Sequence, residues 1–321
     1  MYSVYGPLKI LSCEAALHSG FGPTVAGLLA APLVKRRVKI FSNENLMPEI
    51  DPSEDLEGCD VYILQQQVSP LSQQMIELLL FIDAAKTTCK AARVTVVLPY
   101  YFYARTDRTD GRKISAAAAL WSKLYQRAGA DRILTMDPHT NTIEAQSRIP
   151  LDALHATVYL LAKVLGEIGK EGKVVVATDQ GSAKYSGVYA DYFNLPLAVI
   201  DKRRTDDSEK PKMVGILGEV NGLTAIFCDD ETLSGNTLID AAEMVKSRGA
   251  KTAIAVVSHG FLSLGVNKIE DSKLDRLVIT DTVPIIEEKI TKKIQVVTIA
   301  QMFADAIRKM HGSRTSTESI T

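Results

Sequence analysis

Cysteine, tryptophan, long apolar runs and net charge are all scarce in this 321-residue chain. The four cysteines, Cys13, Cys59, Cys89 and Cys228, stand far apart with no CxxC pair or Cys/His cluster, which argues against a zinc site or a disulfide framework. Isolated cysteines of this kind read as small buried hydrophobes. With 37 basic and 38 acidic residues the net charge is −1, so no global field draws the chain to nucleic acid or to anionic lipid. No uninterrupted apolar segment reaches the roughly 18 residues of a membrane span. The first residues also lack the charged-then-apolar order of a secretory signal, and the expected location is the cytoplasm, without membrane or nucleic-acid partners. Walker P-loop, GxGxxG and HExxH patterns are missing too.

What is present is an ordinary globular composition, 46% hydrophobic and 23% charged, in a chain long enough for two domains. Short apolar, β-branched runs predict strands at 38–41, 61–64, 93–99, 132–136, 173–179, 196–201, 225–228, 252–258, 278–282 and 294–299. Helical spacing appears at 73–85, from about 115, from 237 and at 300–311. The alternation predicts an α/β fold with mostly parallel sheets flanked by helices. Residues 205–212 are polar and lack hydrophobic period, which predicts a mobile flap, and the Ser/Thr-rich end, 313–321, a flexible tail.

The richest stretch runs from Thr224 to Ala242. A buried strand is expected to end at Cys228, followed by a polar turn with Asp229 and Asp230, then Ser234, Gly235, Asn236 and Thr237 where a helix begins. In a parallel α/β sheet ligands bind at such a place, and a helix N-terminus with a permissive glycine offers backbone N–H groups to an anion. The two carboxylates suit either the vicinal hydroxyls of a sugar or a magnesium ion. Two other strand ends carry chemistry. After 93–99 come Tyr100 to Tyr103, then alternating cations and acids to Lys113, a loop able to stack a planar base on an aromatic ring and place guanidinium groups on phosphates. After 132–136 comes Asp137-Pro-His139, a carboxylate and an imidazole able to share a metal.

Several of these segments, taken together, resemble the ribose-phosphate pyrophosphokinases. The similarity rests on Phe41-Ser-Asn43, Tyr103-Ala-Arg105-Thr-Asp107-Arg-Thr-Asp110, Ile114-Ser115, Ala128-Gly-Ala-Asp131, Met136-Asp137-Pro-His139, Asp179-Gln-Gly-Ser-Ala-Lys184, the Asp229–Thr237 turn and His259-Gly260, in the family's order, from about Val38 to His311. The resemblance implies two similar phosphoribosyltransferase-like domains, at 1–152 (completed by the helix at 300–312) and 153–299. It implies transfer of the β,γ-diphosphoryl group of ATP to the anomeric hydroxyl of ribose 5-phosphate, with Mg2+ as cofactor, in a homo-oligomer that is usually a hexamer. On that reading Lys202 and Arg204 are catalytic cations, and Phe41, Asn43, Arg105, Asp107 and His139 bind ATP. Asp179, Asp229, Asp230, Ser234, Gly235, Asn236 and Thr237 bind the sugar phosphate, and Asp137, His139 and Asp179 the metal. The turn departs from the family at Leu233 and Asn236, which leaves a bulkier acceptor, a ribose 5-phosphate ester such as ADP-ribose, as an alternative. A further alternative is a catalytically silent regulatory subunit that binds an active synthetase. A phosphoribosyltransferase would share the turn but not the duplicated domain or the Tyr103–Asp110 loop.

Overall fold

The computed structural model describes residues 4–203, 212–263, 265–285 and 290–312. Residues 205–211 of the expected flap, and the expected tail, fall outside them, whereas Lys212 is described. Two compact units emerge: one comprises residues 1–154, 282–284 and 298–321, the other 155–281 and 285–297.

In the first unit the elements are β1 (Leu8–Ser12), α1 (Glu14–His18), α2 (Phe21–Leu29), β2 (Arg36–Ile40), β3 (Leu46–Ile50), β4 (Asp60–Leu64), α3 (Leu71–Asp83), β5 (Arg93–Leu98), α4 (Ala117–Ala128), β6 (Arg132–Met136), α5 (Asn141–Gln146) and β7 (Leu151–Leu154). Five strands form a parallel sheet in the order β1-β4-β5-β6-β7. All residues of β4, β5 and β6 are buried, which is why, after a charged first residue, these strands read as mostly apolar runs instead of alternating ones. β2 and β3 form a separate antiparallel hairpin. Only β2 is legible in the sequence, because β3 carries a proline and is half exposed, as edge strands allow.

The second unit contains α6 (Ala156–Ile168), β8 (Lys173–Ala177), α7 (Ala183–Phe193), β9 (Leu197–Arg203), β10 (Lys212–Leu217), β11 (Thr224–Thr232), α8 (Asn236–Ser247), β12 (Thr252–Gly260), α9 (Asn267–Glu270), β13 (Arg276–Thr280) and β14 (Ile294–Val297). Its seven strands run in the order β10-β9-β8-β11-β12-β13-β14, all parallel except β10 against β9. Val174, Val176, Phe227, Ala255 and Leu277 on one face pack against Leu238, Ala241 and Val245 of α8. Val175, Ile226, Val256 and Val278 on the other face pack against Leu160, Leu161 and Val164 of α6.

The chain then returns to the first unit as α10 (Ala300–Gly312). Phe303, Ala304, Ile307 and Met310 form its buried stripe at helical spacing, with Phe303 edge-on to Phe21 of α2 at 5.6 Å. The far end of the helix meets a buried charge cluster. Arg93 donates to Asp60 at 2.8 and 2.6 Å, to the Tyr62 hydroxyl at 3.0 Å and to the Met310 carbonyl at 3.2 Å, and His311 Nδ1 lies 2.8 Å from Asp60. Asp60 is fully buried, so these partners stand in for its lost water.

Candidate active site

Chain order sets a crevice in the seven-stranded sheet. From β8 the chain moves outward to β9 and β10, then returns to the other side of β8 for β11 and the strands beyond it. Loops leaving the carboxyl ends of β8 and β11 therefore part in opposite directions, and open α/β sheets bind ligands at such a reversal. Pairing between these two strands stops at Val175↔Ile226, whereas β11 stays paired with β12 as far as Thr232↔Gly260.

That longer pairing corrects one sequence expectation. Asp229 and Asp230 lie within the end of β11, not in a turn after it, because the ladder to β12 holds this polar segment extended. Burial pushes the Asp229 carboxyl well above the usual carboxylate range, and a hydrogen bond with the Asp230 carboxyl, the charge of Asp230 and that of Asp179 add to the effect. The Asp230 N–H, donating to Asp229 Oδ1 at 3.0 Å, pulls the other way. Two acids in one confined place cannot both ionise cheaply, so a pair of hydroxyl donors would relieve them. Below Asp229 runs a line of buried hydroxyls. Thr157 Oγ1 lies 2.9 Å from Ser258 Oγ and 3.5 Å from the Asp229 carbonyl, and Thr280 donates to the Ser258 carbonyl at 2.6 Å.

The turn after β11 ends in Gly235, whose φ of 82° lies in the left-handed region; a Cβ there would sit 2.9 Å from Ile269 Cδ1. α8 starts at Asn236, one residue before the expected Thr237. Asn236 and Thr237 are exposed, so the α8 N-terminus, with its partial positive charge, lies at the surface. The Asn236 N–H makes a 3.4 Å contact with Ser234 Oγ. Across the crevice, Asp179 closes a tight turn: its Oδ1 accepts the Ser182 N–H at 2.8 Å, and its own N–H donates to Ser182 Oγ at 3.2 Å. A Cβ on Gly181 would crowd Asp179 Oδ1 at 3.2 Å. α7 follows, with Lys184 in its first turn. Lys202 belongs to β9, paired with Met213, and Arg204 lies outside the described residues.

The first unit holds the other expected residues. Phe41 and Asn43 sit in the loop between β2 and β3; Phe41 is 40% exposed with Lys39 Nζ 4.7 Å from its ring centre, and Asn43 Oδ1 accepts the Asn45 N–H at 3.3 Å. After β5 the aromatic cluster is mostly core: Tyr100, Tyr101 and Phe102 are buried, and Tyr101 donates to the Ala118 carbonyl at 3.0 Å. The expected stacking surface therefore reduces to Tyr103, already stacked on Trp121 with centroids 6.3 Å apart. Arg105 is exposed, whereas Asp107 is buried and accepts a hydrogen bond from the Thr140 hydroxyl. Asp137 directly follows β6 with a φ of 34°, its N–H held by the Leu154 carbonyl at 2.8 Å, and His139 is half-buried in the same turn. A non-glycine residue in that backbone region is uncommon and worth a functional question.

The expected residues thus form three groups. Asp179, Asp229, Asp230 and Ser234–Thr237 line the strand ends of the second sheet. Asp107, on the same loop as Arg105, is joined through Thr140 to the segment after the Asp137–His139 turn, and Phe41 and Asn43 share a hairpin tip. Among the described residues no three His, Cys, Asp or Glu side chains form a ready metal cluster. Sequence reading missed Thr140, Thr157, Ser258 and Thr280, because isolated hydroxyls carry no spacing signal.

Comparison with known proteins bears on the family of the chain. Residues 8–129 match the family model for the N-terminal domain of ribose phosphate pyrophosphokinase, and residues 204–319 match that of the phosphoribosyl synthetase-associated domain. The ribose-phosphate pyrophosphokinase of Hyphomonas neptunium is 36% identical over 307 residues, covering 94% of this chain and 96% of that protein. The enzyme of the same name from Wolinella succinogenes is 34% identical, with 92% and 93% covered. The crystal structure of phosphoribosylpyrophosphate synthetase from Mycobacterium smegmatis superposes with a TM-score of 0.85 at 29% identity, over 95% of this chain and 98% of that one. Two family models, near full-length similarity and a shared two-unit fold place this chain in the ribose-phosphate pyrophosphokinase family.

Proposed function

We propose that this chain catalyses transfer of the β,γ-diphosphoryl group of ATP to the anomeric hydroxyl of ribose 5-phosphate, giving phosphoribosyl pyrophosphate and AMP. The observation that carries the reading is the pair Asp229 and Asp230 at the reversal point of the second sheet, next to the solvent-facing N-terminus of α8. The two acids accept hydrogen bonds from the 2- and 3-hydroxyls of the sugar, and the N–H groups and hydroxyls of Ser234 to Thr237 take its 5-phosphate. The anomeric oxygen forms a bond to the β-phosphorus as the bond from that phosphorus to the oxygen bridging to the α-phosphate breaks. AMP departs with the bridging oxygen, and the proton of the anomeric hydroxyl passes to solvent. Positioning supplies much of the rate, since phosphoryl transfer needs little covalent help from the protein.

Lys202 and Arg204 meet the charge that grows on the transferring phosphates, and the Asp179 turn lies beside the diphosphate. Phe41, Asn43, Arg105, Asp107 and His139 belong to the ATP side. Asp137, His139 and Asp179 are hard or borderline donors that occur singly or as a pair, which fits a magnesium ion carried mainly by substrate phosphates. Such an ion would neutralise phosphate charge. The exposed hairpin tip at Phe41 suits a homo-oligomer in which one copy completes the ATP site of the next.

Leu233 is 41% exposed and Asn236 is exposed at the mouth of the turn, which favours a second acceptor, a 5-phosphate ester such as ADP-ribose. One assay tests both. The purified chain is supplied with ATP, Mg2+ and either ribose 5-phosphate or ADP-ribose, and AMP release is followed. The expected result is AMP release with ribose 5-phosphate; inactivity with both would overturn the assignment and favour the silent-subunit alternative.

A further inference from the structure

The hydroxyl of Thr140 is placed unusually for its position. Thr140 is the residue that enters α5, where a threonine ordinarily turns its hydroxyl onto a backbone N–H of the first helical turn. No such capping bond is made. The hydroxyl instead donates to Asp107, 33 residues earlier in the chain. Asp107 is 4% exposed, and a charged neighbour, Arg108, has its Nε 3.6 Å away. A buried carboxylate needs donors, and here the donor comes from the next loop along the sheet.

The consequence lies in what each partner adjoins. Asp107 is two residues after Arg105, on the loop leaving β5, and Thr140 directly follows His139, on the loop leaving β6. These strands are neighbours in the sheet, paired from Thr95↔Arg132 to Leu98↔Thr135. The loop from β5 has further anchors nearer its root and at its far end, in Tyr101 to the Ala118 carbonyl, Tyr103 on Trp121, and the Ala118 N–H to the Thr106 carbonyl at 3.2 Å. Among these anchors the Asp107–Thr140 bond is one that crosses to the loop from β6. We propose that Asp107 and Thr140 are positioning residues that hold Arg105 and His139 in register for ATP, so that Asp107 acts through Thr140 and not by touching nucleotide. This inference rests on the ATP side of the proposed function.

The test compares T140V with T140S. Valine keeps the branched shape and removes the donor, and because that hydroxyl does not cap α5, helix stability should change little. The readouts are affinity for the ATP analogue AMPPNP by calorimetry with no acceptor present, since its α,β bridge is an ordinary oxygen and could still transfer, KM for ATP and for ribose 5-phosphate, and thermal unfolding. In T140V, AMPPNP affinity should fall and KM for ATP rise by about tenfold, the scale of one lost hydrogen bond to a charged group. KM for ribose 5-phosphate should stay within twofold, and T140S should recover most of the loss. D107N, which keeps an acceptor oxygen, should show a smaller shift of the same kind and covers the case of a poorly folding T140V.

Unchanged AMPPNP affinity in folded T140V overturns the proposal, as does an equal rise in KM for both substrates, which marks general damage. Failure of T140S to recover affinity overturns it too. If the wild type binds AMPPNP but turns over neither acceptor, the proposed reaction fails while the calorimetric comparison still decides this one; a wild type that does not bind AMPPNP overturns both.

Discussion

Replacing Asp230 with asparagine should weaken the acceptor and strengthen the fold at once. In the free protein Asp229 is held protonated to an unusually high pH, first by burial and then by its hydrogen bond with Asp230 and the charge of that neighbour. A folded state that binds an extra proton loses stability as pH rises from the ordinary carboxylate range, about 4, through the raised value, because the unfolded chain has already released that proton. The wild type should therefore become less stable along that window. D230N removes the like charge, so Asp229 titrates closer to its ordinary range and the loss shrinks by about 1.4 kcal/mol for each unit recovered. Acceptor binding moves oppositely. A sugar hydroxyl that donated to a carboxylate now donates to a neutral amide oxygen, and a hydrogen bond to a charged group contributes about 1.5–3 kcal/mol. Asparagine keeps an acceptor, so the lower end applies: KM for ribose 5-phosphate should rise about tenfold with KM for ATP unchanged. Calorimetric unfolding at pH 5, 6, 7 and 8 with steady-state kinetics on the same samples checks both halves. A D230N protein that is less stable than the wild type at pH 8, or that keeps its KM for ribose 5-phosphate, would refute the account of this pair.

Two further outcomes follow from packing. Asp60→Ala should destabilise the chain by about 3–5 kcal/mol in urea unfolding, because Arg93 would stay buried without its carboxylate and α10 would lose the anchor at His311; a change below about 1 kcal/mol would show that the cluster contributes little. Gly235→Ala should cost about 1–2 kcal/mol from the left-handed backbone alone. The 2.9 Å approach to Ile269 Cδ1 adds to that only partly, since a side-chain end can shift. KM for ribose 5-phosphate should rise in step, because the displaced turn is the one that seats the 5-phosphate, and an unchanged KM would separate the turn from acceptor binding.

Much of the fold was readable without coordinates. The buried strands β4, β5 and β6 announce themselves as short, mostly apolar runs after a charged first residue, and α10 by its apolar spacing, because parallel strands and amphipathic helices impose those patterns. β3 left no such trace, since a half-exposed edge strand with a proline satisfies no hydrophobic period. The end of β11 was misplaced for a related reason: Asp229, Asp230 and Glu231 are polar, and only pairing with β12 keeps them extended. Aromatic density after β5 suggested a stacking platform, yet Tyr100, Tyr101 and Phe102 fill the core, a distinction of side-chain direction that composition does not contain.

The site divides along the same line. Residue types and their local order determined which groups carry the chemistry, since twin acids, a glycine turn and a helix start are contiguous in the chain and their meaning is local. Tertiary structure alone decided the environment of those groups: that Asp179 bears on Asp229, that a line of hydroxyls runs beneath it, and that Asp107 turns inward to Thr140. The strand order β8-β11, reached by a chain that doubles back, brings Asp179 and Asp229 together from positions far apart in sequence. Electrostatic coupling depends on distance through space and on burial, and neither is written in the spacing of residues along a chain.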